Sequence, residues 1–79
     1  MLSDDELAEI RARLQRATPG PWDSFVETPD TCVGSSFIRT AGADIYLTGA
    51  TTADQEFIAH ARMDVARLLD EVERLRRKP

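Results

Sequence analysis

The chain contains few of the residue types on which many enzymes and secreted proteins depend. Its 79 residues include one cysteine, one histidine, one tryptophan, one tyrosine and one lysine. A single cysteine excludes an internal disulfide and a cluster of thiolate ligands, which suits a reducing cell interior. No apolar run approaches the ~20 residues that cross a bilayer, and the first residues are acidic rather than the basic start of a signal peptide. We therefore expect a cytoplasmic protein that does not engage a membrane.

Positive charge is also scarce. The 14 acidic and 10 basic residues give a formal net charge of -4 at pH 7. Proteins that grip the phosphate backbone usually carry a positive surface, so general nucleic-acid binding is not expected. Residues 18–53 hold four acidic side chains and one basic side chain, Arg39, whereas residues 54–79 hold six of each sign. This distribution leaves room for one discrete anion site rather than an extended basic surface.

The beginning of the chain predicts an amphipathic helix. Ser3 and Glu6 have the spacing of a capping box, in which each side chain accepts a hydrogen bond from the backbone N–H of the other residue. Apolar residues then recur every three or four positions, which predicts a helix over 4–17. The prolines of the following TPGP segment disfavour helical backbone before them. An extended segment should therefore follow the helix and place Trp22 against the core.

The middle of the chain predicts a small antiparallel meander. Three stretches rich in β-branched and aromatic residues, at about 22–27, 32–39 and 44–48, are separated by turn residues. Cys32 is predicted to be a small buried apolar residue. With its flanking helices, this pattern predicts a single α+β domain over 1–79, a size that buries only about 60–65% of its unfolded surface. Its stability should be modest or depend on a partner subunit.

The last third of the chain predicts a long helix over about 53–77. Thr52 and Gln55 have capping-box spacing, and apolar residues follow at intervals of three and four. Two dozen residues span roughly 36 Å, longer than so small a domain requires, so the last two turns are expected to project.

Two segments together resemble the small Ead-like accessory proteins of phages and prophages. The first is ATPGPW, residues 17–22, and the second is DQEFIAHARMDVARLLDEVERLR near the C-terminus. Two positions depart from the pattern of that family, because Met63 stands where threonine is frequent and Ala66 where proline is frequent. In the family this stretch resembles a break between two helices. Two arrangements therefore stay open here: one continuous helix, or a break with Asp64 capping a second helix. The resemblance implies a phage or prophage origin and a dispensable, host-facing role, and it brings no established catalytic residue.

The residues do not predict an enzyme. His60, Cys32 and Asp64 could supply a base, a nucleophile and an orienting group, but the surroundings of Cys32 match no nucleophile motif. One histidine and one distant cysteine also lack the paired spacing of a zinc site. We expect no catalytic residue, no bound metal and no cofactor.

The leading hypothesis is a non-catalytic protein that binds and sequesters a small host molecule, most concretely a nucleotide-derived immune signal. Arginines and aromatic rings can bind a nucleotide, and a helix N-terminus favours an anion. A chain this small would need to form a closed homo-oligomer with pockets between subunits. Each residue also has a structural interpretation, as a core anchor, a helix cap or a solvated side chain. The predicted ligand-binding residues are Trp22, Arg39, Tyr46, Thr51, Thr52, His60 and Arg62.

The alternative hypothesis is a protein-interaction module that binds a host or phage protein through its C-terminal helix. The same helix face could instead join copies of this chain, or could receive the first helix. The predicted interface residues are Ile58, Val65, Leu68, Leu69, Val72 and Leu75.

Overall fold

The structure, a computed structural model, describes residues 1–26 and 36–77. It confirms the predicted α+β fold, in which an antiparallel sheet of order β1-β2-β3 lies between two helices in the chain. The predicted strands are longer than the observed ones, and the parts at 27 and 32–35, with Cys32, lie outside the described residues. The elements are α1 (Asp4–Arg16), β1 (Asp23–Phe25), β2 (Phe37–Arg39), β3 (Ile45–Tyr46) and α2 (Thr52–Arg76).

Helix α1 begins with the predicted capping box. The Glu6 backbone N–H donates to Ser3 Oγ at 3.1 Å, and the Ser3 N–H donates to the Glu6 carboxylate at 2.9 Å. The backbone bond from Ser3, followed by the side-chain bond, lowers the pKa of Glu6 from its ordinary value of 4.5. The start of α1 is therefore fixed by local sequence.

The TPGP segment forms a junction between α2 and the sheet. The carbonyl oxygen of Thr18 accepts hydrogen bonds from Trp22 Nε1 at 2.9 Å and from Arg62 Nε at 3.1 Å. The Ala41 N–H, in the turn after β2, donates to the carbonyl oxygen of Pro19 at 3.3 Å. The chain bends at Gly20, so the segment is not extended throughout as predicted. The Gly20–Pro21 peptide bond is cis. The contacts of the segment hold Trp22, which was expected against the core, in a half-buried position.

Helix α2 begins at Thr52, one residue earlier than predicted, and its cap is also one residue earlier. Thr51, not Thr52, is the N-cap, and its capping-box partner is Asp54 rather than Gln55. The predicted pair is wrong because the Asp54 carboxylate reaches back to the Thr51 N–H at 3.1 Å, which directs Gln55 toward the core. The helix runs through Asp64 without a break to Arg76.

The sheet packs on the first half of α2 through a small, closely fitted core. Ile38 is fully buried and Ala59 is 1% exposed. The buried amide of Gln55 donates from Nε2 to Ser24 Oγ at 3.0 Å and to the backbone oxygens of Phe25 and Phe37, each at 3.1 Å. A polar side chain thus ties the helix to β1 and β2 from inside.

Helix α1 packs on the second half of α2 and covers the turns that were predicted to project. The guanidinium of Arg11 contacts Glu73 at 2.8 Å and Asp70 at 3.0 Å, and these bonds raise the pKa of Arg11. Arg76 contacts the Asp4 carboxylate and the Leu2 carbonyl oxygen. The predicted projection is therefore wrong, because α1 lies alongside these turns in a molecule of 53 × 20 × 19 Å.

Candidate interaction surface

Helix α2 has a core face and a more hydrophobic face that the domain leaves partly exposed. Gln55, Ala59 and Leu69 are buried on the core face. The other face carries the apolar stripe, which is strongly exposed at both ends and in the middle: Phe57 is 75% exposed, Leu68 64% and Leu75 52%. The apolar stripe consists of Phe57, Ile58, Ala61, Val65, Leu68, Val72 and Leu75.

Five of the six predicted interface residues lie on the apolar stripe, and Leu69 does not. Successive residues of a helix are rotated by about 100°, so Leu69 points away from the direction of Leu68. Leu69 is 4% exposed and belongs to the core.

An apolar groove runs beside the stripe, between α1 and α2. It has a volume of about 230 Å³, and all of its lining residues are aliphatic. The first helix and its preceding residues provide one wall, and α2 provides the other. The lining residues are Leu2, Leu7, Ile10, Val65, Leu68, Leu69 and Val72.

The flank of the stripe away from this groove carries charges of alternating sign. Asp64, Arg67 and Glu71 surround the exposed side chain of Leu68 in a shallow depression. Glu71 is paired with Arg74 on the following turn. The flank therefore offers both signs of charge beside an apolar centre, an arrangement typical of an interface core with a polar rim.

Two predicted ligand-binding residues, Arg39 and Tyr46, belong to an aromatic row on the outer face of the sheet. The rings of Phe25 and Phe37 stack with centroids 5.2 Å apart, and the Phe37 and Tyr46 centroids are 5.8 Å apart. The Arg39 Cζ lies 4.8 Å from the Phe25 centroid and 5.7 Å from that of Phe37. Side chains alternate along a strand. Because Ile38 faces α2, this row faces away from α2. Arg39 is therefore on the opposite side of the sheet from the helix.

The other predicted ligand-binding residues lie on or beside α2. Trp22 and Arg62 meet at the Thr18 carbonyl, and exposed His60 donates from Nδ1 to the Glu56 carbonyl oxygen at 2.8 Å. At the helix N-terminus, Thr51 is the cap and exposed Thr52 is the first helical residue. Within one chain, the sheet therefore separates Arg39 and Tyr46 from the α2 residues and does not bring all seven into one pocket.

Comparison with known proteins does not assign a family: no protein-family model, curated protein or solved structure matches the chain. Among residues 1–26 and 36–77, no group of three or more His, Cys, Asp or Glu side chains could hold a metal ion. Neither of the two described helices is long and apolar enough to span a membrane. The function must therefore be inferred from the surfaces of the molecule.

Sequence reasoning missed several residues that shape these surfaces. Gln55 was assigned to a helix cap, although its spacing of four from Ala59 places both on one helix face. Phe25 and Phe37 were not included in a site, although period-two alternation places them on the face of the sheet opposite to that of Ser24 and Ile38. Residue spacing could have grouped Gln55 with Ala59 and Phe25 with Phe37. It does not show which face of the sheet packs on α2.

Proposed function

We propose that the protein is a non-catalytic interaction module whose docking surface is the apolar stripe of α2 with its adjoining groove. The observation that carries this proposal is that one face of α2 exposes large apolar side chains at Phe57, Leu68 and Leu75, spread over about 27 Å at 1.5 Å per residue, with half-buried apolar residues between them. Scattered exposed apolar residues are ordinary, whereas a contiguous apolar surface with a polar rim marks an interaction site.

The geometry fits recognition of another helix. An amphipathic helix can lay its apolar side chains against the stripe and insert them into the groove. Complete burial of one leucine or phenylalanine contributes about 1.5–3 kcal/mol, so Phe57, Leu68 and Leu75 could supply most of the affinity. The charges of Asp64, Arg67 and Glu71 would then favour one register of the partner over others.

The resemblance to Ead-like proteins supports a phage or prophage setting for this module. In that setting the protein acts stoichiometrically, by occupying a surface of a protein rather than by chemistry. Loss of the apolar stripe should therefore abolish its effect while leaving its fold intact.

Site-specific photo-cross-linking in the producing cells tests the proposal. A photoreactive phenylalanine analogue replaces Leu68 on the stripe, and a matched variant carries it at Met63, which lies on α2 off the stripe and is 40% exposed. We expect a discrete protein adduct at Leu68 and none at Met63. Equal or absent cross-linking at the two positions would contradict the proposal.

The aromatic row supports a second candidate function, the sequestration of a nucleotide-like molecule by an oligomer. Arginine and aromatic side chains together can stack a base and attract a phosphate, and both Arg39 and the 64% exposed Tyr46 contact the ring of Phe37. Since the other predicted residues lie across the sheet, a second subunit would have to complete the pocket.

Thermal shifts against cyclic dinucleotides, cyclic trinucleotides, ADP-ribose derivatives and ordinary nucleotides test this candidate. A ligand at 100 times its Kd stabilises a protein by about 2.7 kcal/mol, which raises Tm by on the order of 10 °C or more in a domain of this size. Arg39→Ala should remove the shift without changing the fold. A flat panel at saturating concentrations would contradict the candidate.

A further inference from the structure

We infer that a second copy of this chain occupies the apolar stripe, in a twofold-symmetric antiparallel homodimer. This inference rests on the proposed docking function and names the partner of that same surface. It follows from the amount of exposed surface, from the position of the exposed apolar residues and from their spacing along α2.

The chain exposes more surface than a monomer of its mass should. Its accessible area is 5958 Å² for 8.8 kDa, whereas folded monomers of that mass expose about 4,800 Å². The excess is about 1,200 Å² per chain. A stable interface of standard size buries about 800 Å² per partner, and permanent homodimers bury more. The excess is therefore large enough to contain one dimer interface.

The exposed apolar side chains are concentrated where such an interface would lie. In the described part of the chain, eight large hydrophobic residues are exposed, and five of them lie on the stripe or at the end of its groove. The charged flank continues this surface and supplies a polar rim. The five residues are Leu2, Phe57, Ile58, Leu68 and Leu75.

The spacing of the stripe is the same in both directions. From Ile58 to Leu75, the intervals between successive stripe residues are three, four, three, four and three. A twofold axis between residues 66 and 67 therefore opposes every stripe residue in this span with another. Each pair of opposed residues forms one layer of the antiparallel interface. The layers pair Ile58 with the partner's Leu75, Ala61 with the partner's Val72, and Val65 with the partner's Leu68.

The parallel alternative fits less well. A parallel dimer would place Ala61 against the partner's Ala61 and leave a gap. The antiparallel dimer places the partner's Val72 against Ala61. A parallel pair would also recruit Arg76 to the partner's Glu71, but Arg76 already contacts Asp4 and the Leu2 carbonyl oxygen. Antiparallel packing leaves these contacts intact and opposes the two helix dipoles.

Sedimentation equilibrium of the purified full chain from about 1 to 500 µM tests the dimer. We expect twice the chain mass for the wild-type protein. Leu68→Glu places a carboxylate in two central layers of the dimer, so it should raise the dissociation constant at least about a hundredfold. Thr52→Glu, at an exposed position on the same helix but off the stripe, should leave it unchanged. Circular dichroism checks that both variants remain helical.

A wild-type monomer at the highest concentration, or an unchanged dimer in Leu68→Glu, would overturn the inference. The proposed function would fail separately, through the absence of any specific adduct at position 68 in cells. A monomer combined with a heavier adduct at that position would assign the surface to a different protein.

Chemical cross-linking tests the orientation of the helices. In a Cys32→Ser background, Ile58→Cys and Leu75→Cys are prepared as separate chains and treated with a short bismaleimide. The antiparallel dimer should cross-link only when the two variants are mixed, because each position lies about 25 Å from its own copy at 1.5 Å per residue. Cross-linking of either variant to itself would overturn the antiparallel arrangement.

Discussion

Replacing Gln55 by methionine removes the buried amide that joins α2 to two strands. The side chain is 2% exposed, and its Nε2 donates to Ser24 Oγ and to the backbone oxygens of Phe25 and Phe37. Methionine has a similar length and fills the same space, so packing is largely kept. The change therefore isolates the loss of hydrogen bonds.

The expected cost is large for so small a domain. Leaving a buried acceptor without its donor costs about 1–3 kcal/mol. The Ser24 hydroxyl can turn to another partner, but the two carbonyl oxygens are fixed in the sheet, so we expect a loss of about 2–4 kcal/mol. A chain of 79 residues has a total stability of about 4–12 kcal/mol. The change should thus lower Tm by about 10 °C or more.

The assay is urea denaturation followed by circular dichroism, at one protein concentration because self-association shifts apparent stability. Gln15→Met is the matched control, since Gln15 is exposed on α1 and should change stability by no more than about 0.5 kcal/mol. Equal midpoints for the two variants would refute the polar connection between α2 and the sheet.

Gln55→Glu adds a pH test of the same contact. The buried carboxylate would face three oxygen atoms, and burial should raise its folded-state pKa above the unfolded value. The sign follows from linkage: the unfolded state then loses its proton first as pH rises. The variant should be least stable, relative to the wild-type protein, at neutral pH and should recover as pH falls toward 4. A loss of stability in Gln55→Glu that does not change with pH would contradict the burial of this side chain among oxygen atoms.

Two further predictions concern local structure. The pKa of Glu6 should lie below 4.5 in a carboxyl NMR titration. The stabilisation by ionised Glu6 is complete above the unfolded-state pKa and is lost as pH falls through the folded-state pKa, so Glu6→Gln should remove this pH dependence of stability. Ser3→Ala should cost about 1 kcal/mol in thermal unfolding. A Cβ at Gly20 would lie 2.7 Å from Met63 Sδ, so Gly20→Ala should destabilise the wild-type chain more than it destabilises Met63→Ala. If Gly20→Ala costs the same stability in the wild-type chain and in Met63→Ala, the double-mutant cycle would show that the two residues do not contact each other.

The element order could be predicted because each boundary has a local cause. The Ser3 and Glu6 capping box starts α1, the prolines of TPGP end it, and unbroken apolar spacing indicates α2. Ala66, which keeps the N–H that a proline would lack, is compatible with the continuous helix. Such signals act within a few residues and need no tertiary context.

The faces could not be predicted in the same way. Hydrophobic periodicity finds the most apolar side of α2, but the sheet approaches the side carrying Ala59 and Gln55, where a small residue and an amide allow close contact. The predicted interface residues other than Leu69 therefore lie on the apolar stripe, whereas Leu69 lies in the core. For Arg39, alternation separates it from Ile38, but only the packing of Ile38 on α2 determines which face it occupies.

The most direct test of the central claim is a scan of photo-cross-linking positions along α2 in cells. We expect adducts when the photoreactive residue replaces Phe57, Leu68 or Leu75, and none at the exposed positions Glu56 and Met63. Adducts confined to the stripe would identify it as an interface and, by their mass, show whether the partner is a second copy. Cross-linking that ignores the stripe, or is absent along it, would contradict the account.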